Sequence, residues 1–199
     1  MNFERRLELL REKIRTEDFL KGRGLGNEVP FWIFDYPADK ELVMRDFIPK
    51  VKDMLKRESV TVLDVDLYEL CLQILSDHPS LEKIVEYEQK KGSLRLLKQL
   101  KTILKPAVLM DRIKKMISDD TDLIFLTGVG KSWPMVRSHT ILNNLQPIVS
   151  DIPLIEFFPG RFDNYGLSLF NCLEADNYYR AFKLIDENIE RDTRRDRLE

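Results

Sequence analysis

Four short apolar runs constrain the fold of this 199-residue chain more than any other feature. Phe31-Trp32-Ile33-Phe34 is entered from Pro30 and closed by Asp35 and Pro37. Val60 to Val65 is rich in β-branched residues. Leu123 to Thr127 ends at Gly128, and Leu154 to Phe158 ends at Pro159-Gly160. Runs of this length bounded by turn residues read as strands, the first of them buried. The segments between them have helical spacing. Phe3, Leu7, Leu10 and Ile14 predict a helix over 1–20, stopped by Gly22, Gly24 and Gly26. Val43, Phe47, Val51 and Met54 predict one over 39–57, kinked or split at Pro49. Asp66 caps a third, to about Leu75. Two more are expected from about Pro134 to Leu145 and from Tyr178 to about Ile189.

The alternation of strands and helices predicts a three-layer α/β fold, with a mostly parallel sheet of about four to five strands and helices on both faces. A helical insert of two or three helices occupies about 79–118, with Leu94, Leu97, Leu100 and Leu104 as its apolar stripe. Residues 1–185 read as a single domain. The tail 186–199, with ten charged residues in fourteen, reads as frayed or as a solvated helix.

Composition excludes some classes. The chain is 43% hydrophobic and 10% aromatic, which argues against disorder, and its net charge of -2 creates no global field toward nucleic acid or membrane. The N-terminus lacks an apolar signal core. The longest run without Asp, Glu, Lys or Arg, Ser138 to Ser150, is too short and too polar to span a bilayer. A cytoplasmic protein without membrane attachment is the expectation. Cys71 and Cys172 both sit among apolar residues and read as small buried thiols.

Parallel sheets place their sites at the carboxyl ends of the strands. That nominates Asp35, Asp64, Asp66, the 128–132 loop and the 159–163 loop. Gly128-Val129-Gly130-Lys131-Ser132 resembles the end of a phosphate-binding loop, in which backbone N–H groups wrap the phosphates, Lys meets their charge and the hydroxyl holds magnesium. The full spacing requires a glycine five positions before Gly130, where Phe125 stands inside the strand. Pro134 follows where the first helical turn should already be running. The loop reads as a tight turn, with a weaker anion contact as the alternative. The carboxylates Asp35, Asp64, Asp66 and Asp163 either converge at the sheet edge or serve singly as caps and turns.

No His/Cys cluster has metal-ligand spacing, and no cofactor is implied. His78 reads as a surface residue. His139 is a candidate base, though Arg137 and His139 would point to different faces of one helix. Charge is uneven: residues 90–115 hold nine cations against Asp111, a local balance of +8 that leaves -10 elsewhere. Arg95, Lys98, Lys101 and Lys105 recur at helical spacing opposite the leucines, with Arg112, Lys114 and Lys115 beyond. This is either a solvated face or a docking patch for DNA or an acidic partner.

Three strings are more specific. They are Thr127-Gly128-Val129-Gly130 through Pro134 with Arg137-Ser138-His139 and Leu142-Asn143-Asn144-Leu145; Phe157-Phe158-Pro159-Gly160-Arg161-Phe162-Asp163 with Leu167 to Phe170; and Asp176-Asn177-Tyr178-Tyr179-Arg180-Ala181-Phe182. Gly24-Leu25-Gly26-Asn27-Glu28-Val29-Pro30 and Asp66-Leu67-Tyr68-Glu69 agree more loosely. Together they resemble the BrxB family of BREX phage-exclusion systems. This chain departs from the family after Asp163, with Asn164-Tyr165-Gly166 where Gly-Gln-Ser is usual. The resemblance implies a component of a bacterial antiviral system, with no enzymatic activity of its own. Its implied partners are the other BREX proteins: a large ATPase, a PglZ-type protein and an adenine-specific DNA methyltransferase. It also implies a degenerate nucleotide-binding type of sheet without a phosphate loop. Gly128, Gly130, Pro134, Pro159, Gly160, Asn177, Tyr178, Tyr179 and Arg180 would then hold loops in shape or contact partners.

Overall fold

The computed structural model describes residues 1–22, 29–78, 83–149, 151–173, 176–177 and 181–186. Gly24, Gly26, Tyr178, Tyr179, Arg180 and the tail from 187 onward lie outside the described residues. The N-terminal helical stretch is two helices, α1 (Phe3–Lys13) and α2 (Glu17–Leu20). The break falls at Thr16, whose hydroxyl caps the second helix by accepting from the Phe19 amide at 3.3 Å. Strand β1 (Phe31–Tyr36) leads through a 3-10 turn into α3 (Glu41–Arg57), and α3 runs through Pro49 without a break. Strand β2 (Val62–Asp66) feeds α4 (Leu67–Ser76), with Asp66 capping it as expected through the amides of Tyr68 and Glu69. The insert holds α5 (Ile84–Lys91), α6 (Ser93–Ile103) and α7 (Pro106–Met116).

The second half departs further from expectation. Strand β3 (Leu123–Thr127) is followed by a single helical turn, α8 (Val129–Ser132), and only then by α9 (Ser138–Leu145). Pro134 does not start a helix. It holds the preceding Trp133 in extended backbone (φ -69°, ψ 138°), which ends α8, and the Trp133-Pro134 bond is cis. Strand β4 (Leu154–Phe162) continues through Pro159-Gly160 rather than stopping there, and pairs onward with β5 (Gly166–Leu169). Two short strands follow, β6 (Asp176–Asn177) and β7 (Phe182–Lys183). The predicted last helix is therefore replaced, over its described residues, by an edge strand. Phe182 and Lys183 pair in parallel with Trp32 and Ile33, and the Phe182 ring packs on Trp32 at 5.4 Å. That edge pairing outweighs the helix-like spacing of the apolar residues.

Among the described residues the sheet runs β2-β3-β4-β1-β7, all parallel, with β5 and β6 added antiparallel beyond the end of β4. Alternation along each strand divides the core. Phe34, Phe125, Ile155 and Phe157 face α1 and α3, packing with Leu10, Met44, Phe47 and Val51. Phe31, Ile33, Ile124, Leu126 and Phe158 face α4, α7 and α9, packing with Leu70, Ile74, Ile113, Ile141 and Leu145. Right-handed crossovers account for this arrangement. The chain moves toward the β2 edge over one face and returns strand by strand over the other. Cys71 is buried in the second layer, with burial pushing its thiol up to about 12, whereas Cys172 is exposed, contrary to expectation.

Candidate functional site

The topology identifies where a ligand crevice would lie. The connection leaving β1 heads for the β2 edge, while the chain leaving its neighbour β4 heads for the β7 edge. The switch point is therefore between the carboxyl ends of β1 and β4. The loop there is Pro37-Ala38-Asp39-Lys40, which contains no glycine. The Gly128–Ser132 loop follows β3, on the far side of β4 from this crevice.

The protein's own chain fills the crevice. Past Pro159, β4 leaves its pairing with β1 and takes up pairing with β5. Gly160 makes this possible, because a Cβ there would run into the Ser168 carbonyl of β5. Asp35, 5% exposed, fixes the extension: its Oδ2 accepts from the Phe162 amide at 3.0 Å. The Arg6 guanidinium from α1 meets Asp35 Oδ1 at 2.6 Å and its carbonyl at 2.7 Å, and Lys183 Nζ lies 3.3 Å from Oδ2.

The Gly128 turn is equally committed to internal contacts. Gly128 sits at φ 68°, and a Cβ on it would collide with the Asp66 carboxylate. That carboxylate caps α4 and takes the Lys131 ammonium at 2.6 Å, with the ammonium also over the Tyr68 ring at 5.5 Å. The buried Ser132 hydroxyl donates to the Val129 carbonyl at 2.9 Å, turned back into its own turn. A Cβ on Gly130 would press on Pro159 and Phe170 at 3.0 Å. Gly128, Gly130, Pro159 and Gly160 are thus brought together as one packed joint.

Among the described residues, two clefts flank the carboxyl edge, one on each face. On the α3 side, about 240 Å³ is lined by Tyr36, Glu41, Arg45, Asp64, Asp66, Thr127 and Lys131. Each of its acids has an internal partner. Glu41 accepts from the Tyr36 hydroxyl at 2.7 Å, and Asp64 takes Lys52 at 2.7 Å and the Thr127 hydroxyl at 2.9 Å. Burial and Glu41 raise the Tyr36 phenol well above its ordinary range. Of the four carboxylates, Asp64 and Asp66 share this cleft, whereas Asp35 and Asp163 do not line it. Asp163 is exposed on the β4–β5 turn, where the Tyr165 and Gly166 amides hold its carboxyl below the usual range.

On the α9 side, about 300 Å³ has an apolar floor of Val129, Val136, Phe158 and Leu167, with Arg137, Ser138 and His139 on its wall. Arg137 is the extended residue before α9 rather than part of it (φ -110°, ψ 129°), so Arg137 and His139 line the same cleft. Trp133, which sequence reasoning missed, borders the cleft and is 41% exposed. Behind it, Glu156 on β4 is fully buried, and this burial pushes its carboxyl up to about 7. The Ser138 hydroxyl faces it and partly opposes that shift, yet neither carboxylate oxygen has a well-formed hydrogen bond among the described residues. A lone acid inside Leu154-Ile155-Glu156-Phe157-Phe158 was the available signal. Asn143 lies exposed on the outer side of α9.

Comparison with known proteins places this architecture. A family model described as "BREX protein BrxB" matches residues 63–184, from β2 through β7. The chain belongs to the BrxB family. It is 43% identical over 186 residues to BREX protein BrxB of Bacillus cereus (strain H3081.97), covering 92% of this chain and 97% of the relative. It is 34% identical over 185 residues to BREX protein BrxB of Escherichia coli O9:H4 (strain HS), covering 92% of each. No solved structure matches. Within this BrxB-family chain, the packed joint and the α9-side cleft fall inside the matched region, while the filled crevice and the α3-side cleft also draw on residues before it.

Proposed function

We propose that this BrxB-family protein is a non-catalytic assembly subunit of a BREX antiphage system, acting through contacts with other BREX proteins. The observation that carries the reading is the cleft beside α9. A large aromatic side chain stands 41% exposed against an apolar floor, with Arg137 and His139 beside it. Trp and Arg anchors around a desolvated pocket are the usual hot spots of protein interfaces. The switch-point crevice supports the same reading, since polypeptide occupies the place where a small substrate would bind. A catalytic or ligand-binding reading would use Asp35, Lys131, Arg137, His139 and Arg161. It has less support, because Asp35 and Lys131 are held by Arg6 and Asp66. The large ATPase, the PglZ-type protein and the adenine-specific DNA methyltransferase are the partners to test.

The test is a pull-down of tagged protein with the co-expressed BREX components, with and without nuclease. Nuclease-resistant capture, reduced at least tenfold by Trp133→Ala in a variant of unchanged circular dichroism, is the expected result. Capture that nuclease abolishes, or that Trp133→Ala leaves intact, would remove this reading.

A further inference from the structure

The α6–α7 segment has no role in the site above, and it lacks acids over most of its length. From Ser93 to Met110 there is no acidic residue. Arg95, Lys98, Lys101, Lys105 and Lys114 are exposed and make no ion pair among the described residues. Lys90, Arg112 and Lys115, by contrast, pair with Glu86, Asp77 and Asp111. Helix α6 has no buried residue, so core packing does not dictate its polar face. Arg95, Lys98 and Lys101 follow one another at i, i+3 spacing, where like charges repel and destabilise a helix. Lys105 continues the line as the residue before α7. A balance of +8 over 90–115 against -10 elsewhere makes this the basic pole of an acidic molecule.

We infer that the exposed face of α6 and the start of α7 is a docking surface for the phosphodiester backbone of double-stranded nucleic acid, bound without sequence readout. The composition of the face selects this anion over others. Four of the five unpaired cations are lysine, which protein–protein interfaces avoid and phosphate contacts use freely. No aromatic residue lies on α6 to stack an unpaired base. A membrane-surface helix turns an apolar stripe outward, whereas here Leu97 and Leu100 are half-buried and Leu104 is buried. Leu94, 80% exposed, stands among the cations one turn from Lys98, and Val108, 41% exposed, lies one turn beyond Lys105.

The experiment is fluorescence anisotropy of the full chain with a labelled 20-base-pair duplex across a salt series. About four phosphate contacts predict a slope of log K against log salt near -3.6, roughly a 100-fold loss between 50 and 200 mM. Lys98→Glu/Lys101→Glu/Lys105→Glu should weaken binding at 50 mM at least 30-fold and flatten the slope by about 2.7. Lys50→Glu/Lys56→Glu/Arg57→Glu on α3, an equal charge change, should lower affinity no more than threefold. Three results would overturn the inference: no binding at 20 mM salt, equal losses in both variants, or tighter binding to polyglutamate or phosphatidylserine vesicles than to the duplex.

Discussion

The carboxyl edge of the sheet and the α5–α7 insert use charge in opposite ways. At the edge, Asp35, Asp64, Asp66 and Glu41 each hold a cation or hydroxyl of the same chain, so charge there belongs to the fold. In the insert, cations stand one helical turn apart with no acid between Ser93 and Met110. A glycine–lysine loop that looks catalytic is internally spent, and a stretch that looks like ordinary solvated helix has charge to offer. Which groups can act on another molecule depends on what their neighbours have already satisfied, more than on residue type.

Four predictions test that contrast, from the largest effect down. Asp35→Ala strands the buried Arg6 charge and frees the Phe162 amide, costing about 3–5 kcal/mol in urea unfolding. A loss below about 1 kcal/mol would mean that the edge is not held by its charges. Next comes Gly128→Ala. Gly128 has φ 68°, and a Cβ there meets the Asp66 carboxylate. Gly128→Ala should cost about 2–4 kcal/mol in the native chain and only about 1–2 in an Asp66→Ala background, the excess reporting the Asp66 contact. Equal costs in the two backgrounds would remove Asp66 from the account.

Glu156 supplies the third prediction. A carboxyl raised to about 7 in the fold from an ordinary 4.5 keeps its proton where the unfolded chain has lost it. The Glu156 contribution to stability is therefore fully present below about pH 4.5 and is lost as pH rises through 7, by on the order of 3 kcal/mol. Glu156→Gln should flatten that decline and be the more stable protein at pH 8. A wild-type profile flat from pH 5 to 8 would contradict it. The smallest effects come from Lys131→Met and Lys98→Met. The first removes a half-exposed ion pair and should cost no more than about 1 kcal/mol, and the second should stay within about 0.5. A Lys98→Met loss as large as that of Lys131→Met would show that the insert's cations are structural after all.

The sheet was legible because its four main strands are short, mostly apolar runs between turn residues, and the three-layer order follows from their alternation with helices. β7 was not, because two residues on a sheet edge carry no periodic signal and Phe182 also suits a helix. The continuation of β4 was hidden by Pro159-Gly160, normally a stop. Here proline sits where one partner strand ends and glycine where the next passes close. Of the candidate site, the fragment Gly128–Ser132 could be dismissed from spacing alone. Its commitment to Asp66 could not, since Lys131 and Asp66 are 65 residues apart. Arg137 and His139 were assigned to different faces because the helix was started too early. Once Arg137 lies outside α9, the two line one cleft.

The exchange of partners by β4 also sets what a substitution can change. Past Pro159 the backbone is paired with β5 and its Phe162 amide is held by Asp35. A side-chain change elsewhere, such as a glycine at Phe125, leaves that path as it is. Opening room between the ends of β1 and β4 would mean rerouting the backbone beyond Pro159, a change of chain path rather than of residue.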